Sequence, residues 1–193
     1  MLLTTDTVLT GTELLRPGWI EVTRGTVVAV GSGPPPRRVD HDLGLSTVVP
    51  GFVDTHVHGG DAGAFSSASH TETAAAVALH RRHGTTTLVA SLVSAAPADL
   101  IRQVEELADE VRAGLIAGIH LEGPWLATER CGAHDPSLLR DPDPHELETV
   151  LGTGGGTIRM VTLAPERAGA LTAIRRIVDA GAVAAVGHTE ATY

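Results

Sequence analysis

The sequence predicts an α/β protein, in which a small antiparallel β layer is followed by β/α units that form a parallel sheet. Three observations predict this class. Apolar residues make up 42% of the 193 residues and charged residues 19%, values typical of a globular chain. Short segments of alternating polarity occupy the first part of the chain. Strand-like and helix-like segments then alternate from residue 46 onward, which indicates a parallel sheet covered by helices.

The first part of the chain is predicted to be a small β layer. Alternating segments at residues 7–10, 19–23 and 26–30 predict short strands. Between the last two, Arg24-Gly25 is typical of a tight two-residue hairpin turn. We therefore predict that residues 1–47 form a separate structural portion of the chain.

The remaining residues, 48–193, are predicted to form about five β/α units. Ser69 and Glu72 fit a capping box at the start of the first helix, and Pro97 suits the first turn of the second. A complete eight-stranded barrel usually needs about 250 residues, so 193 residues are few for one. Strands are predicted at 46–58 (interrupted by Pro50-Gly51), 85–92, 115–121, 157–163 and 182–186, and helices at 70–83, 97–113, 144–151 and 166–180.

Charge and composition narrow the function classes. The formal net charge is -9 and no cluster of basic residues is present, so neither nucleic acid nor an anionic membrane is an expected partner. Cys131 is the single cysteine, which excludes an intramolecular disulfide. With no uninterrupted apolar run of membrane-spanning length and no pattern typical of a secretory leader, we expect a cytoplasmic protein.

Histidines at the predicted strand ends suggest a metal site. Residues two apart on a strand point to the same face, so His56 and His58 project together, and Gly59-Gly60 then permits a sharp turn. Two imidazoles so close together are a natural beginning for a divalent metal site. The alternative is that they are two unrelated polar residues at a strand end.

Two further strand ends carry groups of the same kind. His120 and Glu122 share a face of their strand, and a carboxylate there needs a partner, which could be a metal ion or an arginine. His188 follows the last predicted strand and, taken alone, is equally compatible with a packed or hydrogen-bonded residue. Because the carboxyl ends of parallel strands meet at one face, the coincidence of three such ends predicts metal binding.

These residues lie in segments that resemble a known family. The segment from Pro50 to Gly59 (PGFVDTHVHG) resembles the opening motif of the amidohydrolase superfamily. The segments His120-Leu121-Glu122-Gly123-Pro124-Trp125-Leu126, Gly132-Ala133-His134 and Gly187-His188-Thr189-Glu190-Ala191 are more specific, and resemble the N-acetylglucosamine-6-phosphate deacetylases. The resemblance covers the whole chain in order and spacing.

The resemblance implies a fold and a set of roles. The fold would be a partial (β/α) barrel of amidohydrolase type with a small N-terminal β-sandwich portion, built in the family from both chain ends. Glu122 and His188 would bind the main catalytic metal, with zinc expected, and His56 and His58 would bind a second ion where the family keeps this pair. Ala133 and His134 would contact an amino sugar phosphate, from which acetate is removed. Family members are commonly homodimers.

Two departures from common family features bear on the site. Many amidohydrolases bridge two metals with a carboxylated lysine, but all 14 basic residues here are arginine, so Glu122 is the expected substitute. Cys131 stands where related enzymes often have lysine in the substrate loop, which leaves the contacts of that loop undetermined. The family's next histidine ligand, its general-base aspartate and a phosphate-binding arginine would follow residue 193.

Three functions therefore remain open from the sequence. The favoured one is a metal-dependent hydrolase that removes acetate from N-acetylglucosamine 6-phosphate. The alternatives are another N-acyl amidohydrolase and a non-catalytic, truncated metal-binding remnant. Because an open half-barrel leaves strand edges uncovered, we expect residues 1–193 alone to be poorly stable and nearly inactive.

Overall fold

A computed structural model describes residues 1–61 and 63–192. Its contacts divide the chain into two compact units, Met1–Gly51 and Phe52–Tyr193. Each unit has its own sheets. The assignment of domain roles to residues 1–47 and 48–193 stays a prediction.

The first unit contains two small sheets. One has the strand order β5-β4-β1-β6 and the other β3-β2-β7. Both are mixed, because β6 pairs with β1, and β7 with β2, in parallel; the prediction of a purely antiparallel layer is therefore wrong in this respect. The strands are β1 (Leu2–Thr5), β2 (Thr7–Leu9), β3 (Leu14–Leu15), β4 (Gly18–Thr23), β5 (Thr26–Ser32), β6 (His41–Asp42) and β7 (Thr47–Val48).

The predicted hairpin at Arg24-Gly25 is confirmed. Thr23 pairs with Thr26 in antiparallel register, which leaves two residues in the turn. Both have positive φ, 50° for Arg24 and 78° for Gly25, the combination that a type I′ turn requires. Such a turn matches the twist of the two strands that it joins.

The second unit is built on a five-stranded parallel sheet that curls as a half-barrel. The strand order β14-β13-β12-β11-β8 follows the chain, and every neighbouring pair is parallel. Its elements are β8 (Phe52–Val57), β9 (Gly59–Gly60), β10 (Gly63–Ala64), α1 (His70–Arg82), β11 (Thr85–Leu92), α2 (Pro97–Arg112), β12 (Gly118–Glu122), α3 (Pro144–Gly154), β13 (Ile158–Leu163), α4 (Ala170–Asp179) and β14 (Val183–Val186).

The predicted alternation of strands and helices is confirmed, while several boundaries differ. Helix α2 begins at Pro97 as predicted, because proline at the first turn gives up no intrahelical hydrogen bond. Helix α4 was predicted from residue 166 but begins at Ala170, directly after Gly169, whose φ is 84°. The predicted capping box at Ser69 and Glu72 does not form: the Ser69 side chain makes no cap hydrogen bond, and the Glu72 carboxylate accepts from the backbone N–H of Ala64.

The core of the second unit lies between the sheet and the helices. Leu100, Val104 and Leu107 on α2 pack with Ile119 and Leu121 on β12, and all are fully buried. Burial of each such side chain contributes about 2 kcal/mol to folding. This packing holds β12 rigidly at the centre of the sheet. No helix within residues 1–61 and 63–192 is long and apolar enough to cross a membrane.

Candidate metal centre

Three strands of the sheet deliver side chains to its carboxyl edge. His56 lies near the end of β8 and His58 follows that strand directly. Glu122 is the last residue of the central strand β12, and His188 lies just beyond β14. Because the strands are parallel, these ends face the same side of the sheet, and the sheet's curl brings the two outer strands toward Glu122.

The Glu122 carboxylate lies at the centre of the cluster. Its Oε2 is 3.0 Å from Nε2 of His58 and 3.2 Å from Nε2 of His56. Its Oε1 is 3.1 Å from Nε2 of His188. The structure therefore brings together all four residues that the sequence singled out as metal ligands. Their role as ligands stays a proposal.

The spacing of these atoms fits a metal ion. His56, His58 and Glu122 form one group that could hold an ion, and Glu122, His134 and His188 form a second. The two Nε2 atoms of His56 and His58 are 3.1 Å apart. Ligands about 2.0 Å from a tetrahedral zinc lie about 3.3 Å from one another, close to the observed separations.

Hydrogen bonds at the far side of two rings leave their Nε2 atoms free to bind a cation. His58 Nδ1 lies 3.2 Å from the backbone carbonyl of Ser91, and His188 Nδ1 lies 2.7 Å from that of Arg130. A carbonyl can only accept, so each Nδ1 carries a proton, and each neutral ring has its lone pair on Nε2. A nitrogen lone pair and a carboxylate oxygen repel each other, so a cation, either a proton or a metal ion, is needed between the two atoms.

His134 has the opposite proton arrangement. Its Nδ1 accepts from the backbone N–H of Ser94 at 3.2 Å and lies 2.9 Å from the Ser94 hydroxyl. The neutral ring therefore carries its proton on Nε2, which lies 3.6 Å from Oε2 of Glu122. Burial lowers the pKa of His134, with a further contribution from His188, so the ring is neutral near pH 7. This tautomer suits a hydrogen-bond donor better than a metal ligand.

Electrostatics keeps Glu122 ionised although it is only 7% exposed. The contacts of its oxygens with His58, and then with the neighbouring His56 and His188, hold the pKa of the Glu122 carboxyl well below its usual range. Burial acts in the opposite direction and is outweighed. An ionised carboxylate among imidazoles is the donor set that divalent metals such as zinc prefer.

His120 lies beneath the cluster and is fully buried. Its Nδ1 is 2.9 Å from the hydroxyl of Ser91, and its Nε2 is 2.8 Å from the hydroxyl of Thr162. The Ser91 hydroxyl also accepts a hydrogen bond from the backbone N–H of Val57. Burial, and then the nearby His56, lower its pKa to about 4. His120 is therefore a neutral residue that links β8, β11, β12 and β13 below the candidate ligands.

The substrate loop that the resemblance implied lies beside the cluster. His134 is buried, and the neighbouring Ala133 is exposed. The same loop supplies the Arg130 carbonyl that binds the His188 ring, and the Ala127 N–H that donates to the His188 carbonyl. The loop therefore contacts both the ring and the backbone of one candidate ligand.

Several residues that contribute to this region were not predicted from the sequence. Ser91 and Thr162 are buried polar residues near the carboxyl ends of β11 and β13, so the rule that singled out Glu122 could have found them too. His80 on α1 also belongs to this region, because its Nε2 donates to the Gly59 carbonyl at 2.9 Å. Nothing in the segment around Ser94 predicts its role, because its hydrogen-bond partner His134 is distant along the chain.

The family follows from the match to known proteins. A model of the amidohydrolase family matches residues 47–193, and the chain belongs to this family. Its members are generally metal-dependent, and the chain has residue groups that could bind a metal.

Within the family, the predicted resemblance to deacetylases of amino sugar phosphates is confirmed. The N-acetyl-D-glucosamine-6-phosphate deacetylase of Mycobacterium smegmatis is 70% identical, with a TM-score of 0.98 over 100% of this chain and 51% of that one. An N-acetylgalactosamine-6-phosphate deacetylase of Escherichia coli O157:H7 is 30% identical over 93% of this chain and 49% of its own length. The N-acetylglucosamine-6-phosphate deacetylase of Bacillus subtilis is 28% identical over 95% of this chain and 49% of its own length. The chain thus spans about half the length of the relatives it matches.

Proposed function

We propose that the protein carrying these residues removes acetate from N-acetylglucosamine 6-phosphate in a metal-dependent hydrolysis. The observation that carries the proposal is the convergence of His56, His58 and His188 on the two oxygens of Glu122. The similarity to named deacetylases supports the choice of substrate. The catalytic base and the phosphate-binding group are expected outside the 193 residues.

Each candidate ligand has a proposed role. Glu122 and His188 would hold the main metal ion, and His56 and His58 would hold a second one. The donor set of imidazoles and a carboxylate favours zinc. When bound, the metal supplies Lewis-acid chemistry, namely polarisation of the amide carbonyl and activation of a water molecule.

The substrate loop completes the proposal. His134 carries its proton on Nε2 at the edge of the metal cluster, and there it donates a hydrogen bond to an oxygen of the substrate. Ala133, exposed on the same loop, lines the substrate site with little side-chain bulk. Ser94 orients His134, because its backbone N–H and its hydroxyl lie 3.2 Å and 2.9 Å from Nδ1 of that ring.

The remaining structural and cellular assignments rest on the resemblance. We propose that the sheets within residues 1–47 form part of a small β-sandwich and that residues 48–193 form the first part of the barrel. A homodimer in the cytoplasm, without nucleic acid or membrane partners, is the corresponding expectation for the whole protein.

A second substrate has support of its own. The relative from Escherichia coli O157:H7 and another from Shewanella, 34% identical, are both N-acetylgalactosamine-6-phosphate deacetylases. The two sugars differ only in the configuration of one hydroxyl group, and no side chain described above selects between them. N-acetylglucosamine 6-phosphate is preferred because the relative with 70% identity is the deacetylase of that sugar.

Acetate release by the full gene product tests the proposal. We expect release from N-acetylglucosamine 6-phosphate, slower release from the galactosamine isomer, and loss of both after treatment with a chelator. Acetylated amino acids serve as substrates for the alternative of a general N-acyl amidohydrolase. Release from acetylated amino acids but from neither sugar phosphate would contradict the proposal.

A further inference from the structure

Glu166 fastens the loop that follows His188. Its Oε2 accepts from the hydroxyl of Thr189 at 2.5 Å, and its Oε1 accepts from the backbone N–H of Glu190 at 2.7 Å. The Thr189 hydroxyl in turn accepts from the backbone N–H of Ala191 at 2.9 Å. One carboxylate, located just after β13, therefore uses both oxygens to hold two consecutive residues beyond β14.

The backbone of His188 is in a conformation that needs such support. Its φ is 49°, in the left-handed region, which costs energy for a residue with a side chain. Residues of this kind keep their conformation only where several contacts fix them. On one side, the Ala127 N–H donates to the His188 carbonyl at 2.9 Å and the Arg130 carbonyl accepts from its ring.

We propose that Glu166 is a positioning residue for the metal centre. By holding Thr189 and Glu190, it restrains the chain directly after His188, so that the left-handed turn is kept and Nε2 of His188 faces Glu122. This inference rests on the proposed function, because it takes His188 to be a metal ligand. Among the described residues, the Glu166 carboxylate hydrogen-bonds to Thr189 and Glu190 and not to a candidate ligand, so it acts through the loop.

A neighbouring ion pair provides a matched comparison. The side chain of Glu190 lies 3.3 Å from Arg130, with side-chain exposures of 47% and 60%. Exposed pairs of this kind contribute little to stability. Glu190→Ala removes a carboxylate from the same loop but leaves the backbone N–H that binds Glu166. It therefore separates the hydrogen bonds of Glu166 from a general loss of negative charge.

Zinc affinity of the full gene product tests the proposal, measured by competition with a chromophoric chelator. Loss of a group that orients a metal ligand typically weakens binding by roughly 10-fold to 100-fold. We expect Glu166→Ala to weaken zinc binding by about 10-fold, and Thr189→Val to weaken it by a smaller factor. The zinc affinities of Thr189→Ser, which keeps the hydroxyl, and of Glu190→Ala should stay within about twofold of that of the unmodified protein.

A double-mutant cycle shows whether the effect passes through His188. In a His188→Ala background, Glu166→Ala should cause no further loss of zinc affinity, because the ligand that it positions is gone. A purely structural role would weaken binding equally in both backgrounds and would overturn the proposal. Circular dichroism checks folding, and Thr189→Val carries the test if Glu166→Ala does not fold.

Two outcomes separate this inference from the function on which it rests. Unmodified protein that does not bind zinc would overturn both. Zinc binding that is present in the unmodified protein, and unchanged in Glu166→Ala and Thr189→Val, would overturn the positioning role alone.

Discussion

The Oε2 atom of Glu122 lies 3.0 Å from Nε2 of His58, so that a carboxylate from the central strand of the sheet meets an imidazole that follows an edge strand. The other carboxylate oxygen faces His188, which follows the opposite edge strand, at 3.1 Å. Glu122 therefore joins both halves of the curled sheet. Its position gives the other three candidate ligands, His56, His58 and His188, a common centre.

His134 should behave as a hydrogen-bond donor and not as a ligand. We expect His134→Ala to lower kcat/KM by about 100-fold or more, in the range found for lost catalytic donors, while zinc affinity changes by less than about threefold. His188→Ala is the comparison variant and should lower zinc affinity strongly. Both quantities are measured on the full gene product. Equal losses of zinc affinity in the two variants would show that the assigned tautomers are wrong.

His120 should contribute to stability through its buried hydrogen bonds. His120→Phe keeps much of the volume but leaves the hydroxyls of Ser91 and Thr162 without their ring partner. Buried polar groups left unpaired cost about 1–3 kcal/mol, so we expect a loss of about 2 kcal/mol in the free energy of unfolding. Urea unfolding measures this free energy. Thr162→Val removes one of the two hydrogen bonds of His120, so we expect it to lower the free energy of unfolding by a smaller amount. A change below about 0.5 kcal/mol would contradict the role of this network.

The pair His70–Glu110 should make stability depend on pH. His70 Nδ1 is 2.6 Å from the carboxylate of the buried Glu110, and this hydrogen bond and charge raise the pKa of His70. A raised pKa in the folded state stabilises the protein below the unfolded value of about 6.5, and the contribution is lost as pH rises through the folded value. The free energy of unfolding of the unmodified protein should therefore exceed that of His70→Gln by more at pH 6 than at pH 8.5.

A control variant distinguishes this pair from other histidines. His83→Gln removes an exposed imidazole at the opposite end of the same helix. Among the described residues, the His83 side chain forms a hydrogen bond only with the Leu79 carbonyl. The pH dependence should survive in His83→Gln and be reduced in His70→Gln. A pH dependence that is the same in all three proteins would refute the role of the pair.

The parts of the fold that were predictable are those set by local chemistry. Arg24-Gly25 fixes a two-residue turn, Pro97 begins a helix, and the β-branched run from Thr85 forms a strand of the predicted length. Strands β1 and β6 were not predicted. Each is short, and its pairing partner is distant along the chain, so that tertiary contacts and not local propensity decide it.

The candidate site shows the same division. His56, His58, Glu122 and His188 were predictable because each lies at a strand end, and parallel strands bring their ends together. The partners of His134 and of the loop after His188 were not, because Ser94 and Glu166 form hydrogen bonds to segments far away in the chain. Tautomers likewise depend on these partners, so the difference between His134 and His188 emerged only from the structure.

The most direct test of the central claim is the zinc affinity of the full gene product in its unmodified, Glu122→Gln and Glu148→Gln forms. Glu148 lies on α3 and is exposed, so its variant makes the same chemical change away from the cluster. We predict that the unmodified protein and Glu148→Gln bind zinc equally, and that Glu122→Gln binds it at least about 100-fold more weakly, since loss of a ligand should exceed loss of an orienting group. Equal zinc affinity in all three proteins would contradict the account.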